Sequence, residues 1–238
     1  MSEELILQVE DVTVSGTPTH VGDLAGISLS LAAGALLVLE PEHHVETVSF
    51  YDVVSGLIVP DQGVVRFCGE EWRRMGLFGQ SAARGRIGRI FEVEGWVSNL
   101  DMYENIALSQ RHHTTRSDRD LRNEMQKMME RIGLRDCVAD RPHVLSRGEL
   151  RRAQWVRAFM GDALLLLLNA PLLDIRPEDQ PVLIELVCEA RARGAAVIWK
   201  SRDAASWTGK QGFEDAIHGQ LSGGRLLMAD GNGESTGQ

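Results

Sequence analysis

Three carboxylates, two adjacent histidines and one threonine crowd the stretch Leu37-Val38-Leu39-Glu40-Pro41-Glu42-His43-His44-Val45-Glu46-Thr47-Val48. A strand-like run, Ala35 to Leu39, leads into it, and a helical pattern, Val45 to Leu57, leads out. That strand–loop–helix frame is the one in which G-x-x-x-x-G-K-[ST] binds phosphate. Aligned on the frame, the first glycine is Glu40, the second is Val45, the lysine is Glu46, and only Thr47 keeps its type. A phosphate cradle needs glycine conformations, bare backbone N–H groups and a cation. Glu40, Glu42 and Glu46 supply the opposite charge, so the loop should repel a triphosphate. The three lysines are Lys127, Lys200 and Lys210, none in the first half of the chain. No shift of register therefore restores the missing cation.

Other groups with chemical potential give no second centre. His43-His44 and His112-His113 are adjacent pairs whose side chains diverge, without the His-x-x-x-His spacing of a metal site, and they read as surface histidines. Cys68, Cys137 and Cys188 are far apart and form no C-x-x-C pair, so neither a disulfide framework nor a zinc site is indicated. A net charge of −9 argues against a nucleic-acid partner. The acidic opening Met1-Ser2-Glu3-Glu4 has the wrong sign for a signal peptide, and the longest wholly apolar run, Ala163 to Leu168, is too short to span a bilayer. A cytosolic chain is the expectation.

The elements that must position these residues follow from pattern. Leu5 to Val14 alternates as a half-buried strand does, and Ile27 to Leu31 gives another. Val64 to Phe67 and Arg86 to Phe91 follow as strands, after the turn at Val59-Pro60-Asp61-Gln62-Gly63. From about Glu92 to Ser146 the pattern is helical, with Met102 to Leu108 and then Asp118 to Ile132 capped by Ser117; another helix follows Leu145-Ser146-Arg147-Gly148 and runs to about Met160. Leu164 to Leu168 is the continuous run of a strand buried on both faces of a parallel sheet. Helix Pro181 to Arg193, strand Ala195 to Lys200 and a strand–turn–strand from Ala216 to Leu227 complete the order; residues 231–238 read as a low-complexity tail.

This order of elements resembles the ATP-binding subunit of an ABC transporter from about Leu5 to Gly231. The resemblance is carried by Ile58-Val59-Pro60-Asp61-Gln62-Gly63, by Asp101-Met102-Tyr103-Glu104-Asn105-Ile106-Ala107-Leu108, by Leu145-Ser146-Arg147-Gly148-Glu149 with Arg152 and Arg157, and by Leu164 to Leu168 with Pro171. It implies one α/β domain: a P-loop NTPase (RecA-like) core at about 1–91 and 155–230, an inserted α-helical subdomain at about 92–154, and an N-terminal antiparallel β subdomain. It also shows what departs. The family's magnesium-binding aspartate aligns with Asn169 and its general-base glutamate with Ala170. The glutamine facing the attacking water aligns with Glu92, the switch histidine with Arg202, and the aspartate closing the next loop with Arg176. No aromatic stands near Gly16 to stack on adenine.

Phosphoryl transfer rests on positioning and charge stabilisation, so losing cation, metal ligand and base together leaves little of it. The resemblance thus implies a subunit that holds no cofactor of its own and meets ATP and magnesium only in a partner. Ser146, Arg147, Gly148 and Glu149 would face the nucleotide of an active paralogue; Arg147 either supplies charge there or obstructs. A membrane permease would dock around Phe91, Trp96 and Tyr103, although Trp96 reads equally as core. Membrane contact would run only through that permease, at the cytoplasmic side of the inner membrane. Ala107 to Thr114 is similar to the Mla/Mce lipid-trafficking type. A stand-alone scaffold and an NTPase with a remodelled site are the rival readings, and Glu46 paired with Arg202 would be an internal substitute for nucleotide. Leu221-Ser222-Gly223-Gly224-Arg225 spells the signature better than residues 145–149, but its Gly-Gly is turn chemistry.

Overall fold

A computed structural model describes residues 4–16, 23–41, 49–93, 95–203 and 207–229. Two sheets organise them. Strands β1 (Leu5–Val14), β2 (Leu24–Ala32), β4 (Gln62–Phe67) and β5 (Glu70–Glu71) form an antiparallel sheet in the order β2-β1-β4-β5. The second sheet contains β3 (Leu36–Pro41), β6 (Ile87–Ile90), β7 (Leu165–Asn169), β8 (Ala196–Lys200), β9 (Ile217–Ser222) and β10 (Arg225–Met228). Its order is β10-β9-β3-β8-β7-β6, parallel throughout except for the β9–β10 hairpin.

The leucine run explains the layering. Successive side chains of a strand point to opposite faces. Leu165 and Leu167, with Leu37, Leu39, Ala196 and Ile198, join the core beneath the antiparallel sheet. Leu166 and Leu168, with Leu36, Val38, Val197 and Trp199, join the core beneath the helices. Helix α1 (Phe50–Val54) lies in the first layer. Helices α3 (Met102–His113), α4 (Asp118–Arg131), α5 (Arg147–Phe159) and α6 (Gln180–Ala192) contribute to the second. A short α2 (Leu77–Arg84) fully buries no residue and touches the first core only through Ala83. Two successive residues of α2, Leu77 and Phe78, are 84% and 94% exposed.

Helix α5 crosses the boundary expected at 154/155. Its first turn stands among the inserted helices, while its last turn packs on β6: a Cβ on Gly88 would lie 1.9 Å from the Ala158 carbonyl oxygen. Only glycine permits that approach, so the insertion is continuous with the core at this point.

Tyr103 corrects an expectation. It is 2% exposed and stands inside the helical layer, not on a docking face. Its hydroxyl donates to Asp118 Oδ1 at 2.5 Å, and the Arg111 and Arg122 guanidinium groups lie 4.9 and 3.8 Å from its ring centre. The aromatic ring is consumed in joining α3 to α4. The Tyr103 hydroxyl, then Arg111 and Arg122, hold the Asp118 carboxyl down to about 2 from its ordinary 3.8. A carboxylate depressed in the folded state stabilises above its unfolded pKa, and that contribution is lost as pH falls through the folded value. Asp118→Asn should therefore melt lower than the parent at neutral pH. The gap should close between pH 3.8 and about 2, as read by thermal melts across that window.

Candidate functional site

In a parallel sheet with helices on its faces, ligands meet the carboxyl ends of the strands. Those ends bring the divergent positions together. Register places Leu39 of β3 beside Lys200 of β8, and Lys200 beside Asn169 of β7. Ile90 of β6 stands beside Leu168 of β7, with Phe91 and Glu92 following β6. Glu40 and Pro41 end β3 as its last two paired residues. Val45, Glu46 and Thr47 lie outside the described residues, as does the Glu46–Arg202 pairing.

Among the described residues Arg202 has a partner in Glu92. Its Nη2 donates to Glu92 Oε1 at 3.0 Å, joining the segment after β8 to the segment after β6. Both side chains are well exposed, so the pair contributes about 0–1 kcal/mol to stability. Beside it, burial pushes the Lys200 ammonium pKa down, opposed by the Glu92 carboxylate. Ala170 follows Asn169 with φ of +44°, the left-handed region that a residue with a Cβ avoids, and its N–H donates to the Lys200 carbonyl at 3.0 Å. A methyl group held in a strained conformation thus stands just past the strand end.

Tyr51, which the sequence reading did not single out, closes the floor of this edge. It projects from α1, and its buried hydroxyl lies 3.1 Å from the Ile198 carbonyl oxygen and 3.3 Å from that of Leu168. Desolvation pushes its pKa far above the ordinary phenol value, so it remains a neutral donor.

The signature residues form a second locus at the start of α5. Ser146 is the N-cap and Glu149 completes a capping box. The Ser146 hydroxyl donates to Glu149 Oε2 at 2.7 Å, the Ser146 N–H donates to the same oxygen at 2.8 Å, and the Glu149 N–H returns to the hydroxyl at 3.4 Å. Those bonds hold the Glu149 carboxyl below its usual range. The hydroxyl proton and one helix N–H are therefore already committed, and a carboxylate occupies the positive end of the helix. Arg147 is exposed. Gly148 passes so near the next loop that a Cβ would meet the Asp174 carbonyl oxygen at 2.9 Å. Ser146, Gly148 and Glu149 line a cavity of about 440 Å³ with Arg152, Asp174, Arg176 and Asp179. Arg176 is bound within its own turn, to Asp179 at 3.0 Å and to Glu178 at 3.2 Å.

Two buried side chains of α5 tie the two loci together. The Phe91 N–H donates to Gln154 Oε1 at 2.9 Å, while Arg151 donates to the Phe91 carbonyl at 2.5 Å and to the Glu92 carbonyl at 2.9 Å. The signal was present in the sequence, as an arginine and a glutamine three residues apart on the inward face of an amphipathic helix.

A third feature lies between β6, α2 and α3: a groove of about 520 Å³ lined by Leu57, Arg84, Arg89, Phe91, Leu108 and Arg157, with Asn105 and His112-His113 at its α3 side. Of the three residues expected to meet a permease, Phe91 lines it. Trp96 is half-buried against the helical core, with the Arg157 guanidinium 4.4 Å from its ring centre. Tyr103 does not line it. Among the described residues no group of histidine, cysteine and carboxylate side chains has the arrangement to hold a metal, and no helix is long and apolar enough to cross a membrane.

A family model described as ABC transporter matches residues 48–172, more than half of the chain. The chain belongs to the ABC transporter family. It is similar to the intermembrane phospholipid transport system ATP-binding protein MlaF of Escherichia coli K12, 24% identical over 210 residues, covering 88% of this chain and 76% of that protein. It is also similar to the lipoprotein-releasing system ATP-binding protein LolD of Ruegeria sp. TM1040, 29% identical over 196 residues, covering 78% of this chain and 85% of that one. Among solved structures, an ATP-binding subunit of an ABC transporter superposes with a TM-score of 0.79 at 19% identity, covering 94% of this chain and 90% of its own. The dimeric post-hydrolysis state of the ATP-binding cassette MJ0796, bound to ADP and Pi, gives 0.80 at 15% identity, covering 96% and 100%. The architecture is that of an ABC nucleotide-binding domain, with its antiparallel β subdomain and helical subdomain.

Proposed function

We propose that this ABC subunit does not hydrolyse ATP and that it works beside an active ATP-binding paralogue in a lipid transporter. The observation that carries the reading is the set of side chains at the strand ends. A magnesium–triphosphate needs a cation for its phosphates, an oxygen anion for the metal, and a base for the attacking water. The corresponding positions hold Glu46, Asn169 and Ala170. Glu92, a carboxylate close to that edge, is engaged by Arg202. That donor set does not fit magnesium–triphosphate.

What remains intact is a framework with two working surfaces. The start of α5 faces outward with Ser146 to Glu149 and would border nucleotide held by the second subunit. The groove beside Phe91 would seat a permease, which would hold the chain at the cytoplasmic face of the membrane. Lipid as cargo is supported by the names of the relatives, one a phospholipid transport subunit and another lipoprotein-releasing.

The test is a native purification with every co-purifying subunit identified. A second ATP-binding subunit with an intact phosphate loop and a transmembrane protein are the expected companions. A complex containing the permease and this chain alone would overturn the pairing. Millimolar or tighter ATP binding by the isolated chain, abolished by altering residues 40–48, would overturn the loss of nucleotide chemistry.

A further inference from the structure

Leu77 and Phe78 make the first turn of α2 an apolar tip standing almost wholly in water, 84% and 94% exposed. Single apolar side chains are ordinary on a protein surface, but two in succession, one of them a phenyl ring, are costly to leave hydrated. Neither lines the groove beside Phe91 or the cleft beside Trp72. The helix that bears them is held in place. Gln80 Nε2 donates to the Trp72 and Met75 carbonyls at 3.0 and 3.2 Å, and Arg84 donates to the Ser55 and Gly56 carbonyls at 3.2 and 2.7 Å. Ser81 Oγ lies 2.9 Å from His113 Nδ1. Those bonds fix α2 through three of its side chains while the first-turn pair stays outside.

The charge along this segment has one sign. Between Trp72 and Phe91 stand Arg73, Arg74, Arg84, Arg86 and Arg89 and no carboxylate, within a chain of net charge −9. Asp52 engages Arg89 at 2.5 Å, and Arg84 is spent on the carbonyls named above. Arg73, Arg74 and Arg86 are exposed, with Arg73 donating to the Pro60 carbonyl. Glu71, just ahead of the segment, pairs with Arg74 at 3.0 Å, but the arginine side chain is 85% exposed and such a pair holds loosely. Three residues of chain span at most about 11 Å, so Arg74 stands within that distance of Leu77. The N-cap of α2, Gly76, has no side chain to close the first turn, which leaves the N–H dipoles there open to an anion.

Size decides the kind of occupant. A phenyl and a leucyl side chain together offer roughly 400 Å² at most, whereas a stable protein partner covers about 800 Å² on each side. A tip of that size beside long cationic side chains matches the boundary between anionic headgroups and acyl chains, where apolar groups enter and arginines reach phosphate. We infer that the first turn of α2 inserts into the surface of a bilayer containing anionic lipid. Leu77 and Phe78 enter the acyl boundary, and Arg73, Arg74 and the helix N-terminus meet phosphate oxygens. This adds a direct lipid contact to a membrane attachment expected through a permease alone, and it requires neither permease nor paralogue.

The test is flotation of the full chain with vesicles of phosphatidylcholine alone and of phosphatidylcholine mixed with an equal amount of phosphatidylglycerol. The chain should float with the anionic vesicles and not with the neutral ones, and added salt should release it. Leu77→Ser combined with Phe78→Ser should lower the partition coefficient at least about tenfold. Both positions are exposed, so the melt of that variant should match the parent's. Arg73→Gln combined with Arg74→Gln should weaken binding and flatten its salt dependence. Leu227→Ser, at an exposed apolar position of β10, should change nothing. In the assembled transporter, a photo-reactive residue in place of Phe78 should label lipid. No flotation with either vesicle, equal binding to both, or undiminished binding of a folded Leu77→Ser, Phe78→Ser protein overturns the proposal. A permease peptide labelled from position 78 in place of lipid assigns the tip to a protein contact and overturns it as well. Because the vesicles hold no second subunit, failure of lipid binding leaves the proposed pairing untouched, and failure of the pairing leaves lipid binding untouched.

Discussion

On the pairing proposed above, replacing the general-base glutamate of the second ATP-binding subunit should lower ATP turnover by roughly 10²- to 10⁴-fold. Asn169→Ala or Ala170→Gly in this chain should leave turnover within about twofold of the parent, measured as phosphate release. The asymmetry follows from the strand ends. A base matters only where it can reach an attacking water, and the side chain after β7 here is a methyl at φ +44°. Ala170→Gly removes that methyl, relaxes the backbone and has no base to lose. A fall in turnover with Asn169→Ala comparable to that of the partner's glutamate variant would mean that the nucleotide is processed at this chain's own sheet edge.

The largest stability effect should come from Trp155→Ala. Trp155 is fully buried in α5, and its indole N–H donates to the Pro171 carbonyl at 2.9 Å. It therefore joins the signature helix to the loop that follows β7. Truncating a buried tryptophan leaves a cavity as well as losing transfer free energy, costing roughly 3–5 kcal/mol. For a domain of this size that is a drop of roughly 10 °C in melting temperature. Trp155→Phe should recover most of the packing and still pay roughly 1–3 kcal/mol for the unsatisfied carbonyl. Calorimetry of the three proteins separates the two contributions. Equal losses for Ala and Phe would assign the effect to the hydrogen bond alone.

The fold was legible where periodicity carried it. The run at 165–168 pointed to a strand covered on both faces, and its alternate leucines do divide between the two cores. Strands β1 and β7, and helices α4 to α6, emerged close to their expected spans, whereas α3, expected over Met102 to Leu108, runs on to His113. Helix α2 did not emerge: it spans eight residues, fully buries none and touches the core only through partly buried Ala83.

The site was legible only in part. Residue types singled out Asn169, Ala170, Glu92 and Arg202, but not that Glu92 and Arg202 would meet each other. An aromatic at 103 in a docking region suggested exposure; its hydroxyl found Asp118 and the ring turned inward. Arg151 and Gln154 drew no reading, because sequence cannot say that the carbonyls and N–H of residues 91–92 lie opposite them.

Those two side chains give the molecule a mechanical property. Helix α5 is about 20 Å long at 1.5 Å per residue, and its midpoint is bolted to the backbone of Phe91, the floor of the groove. Its last turn abuts β6 without room for a methyl group. The same helix therefore carries the hydrogen bonds to the groove floor and, about a turn and a half from Arg151, the Ser146 cap. Any relative movement of the groove floor and the signature residues has to be taken up outside α5, because no joint lies between them within the helix.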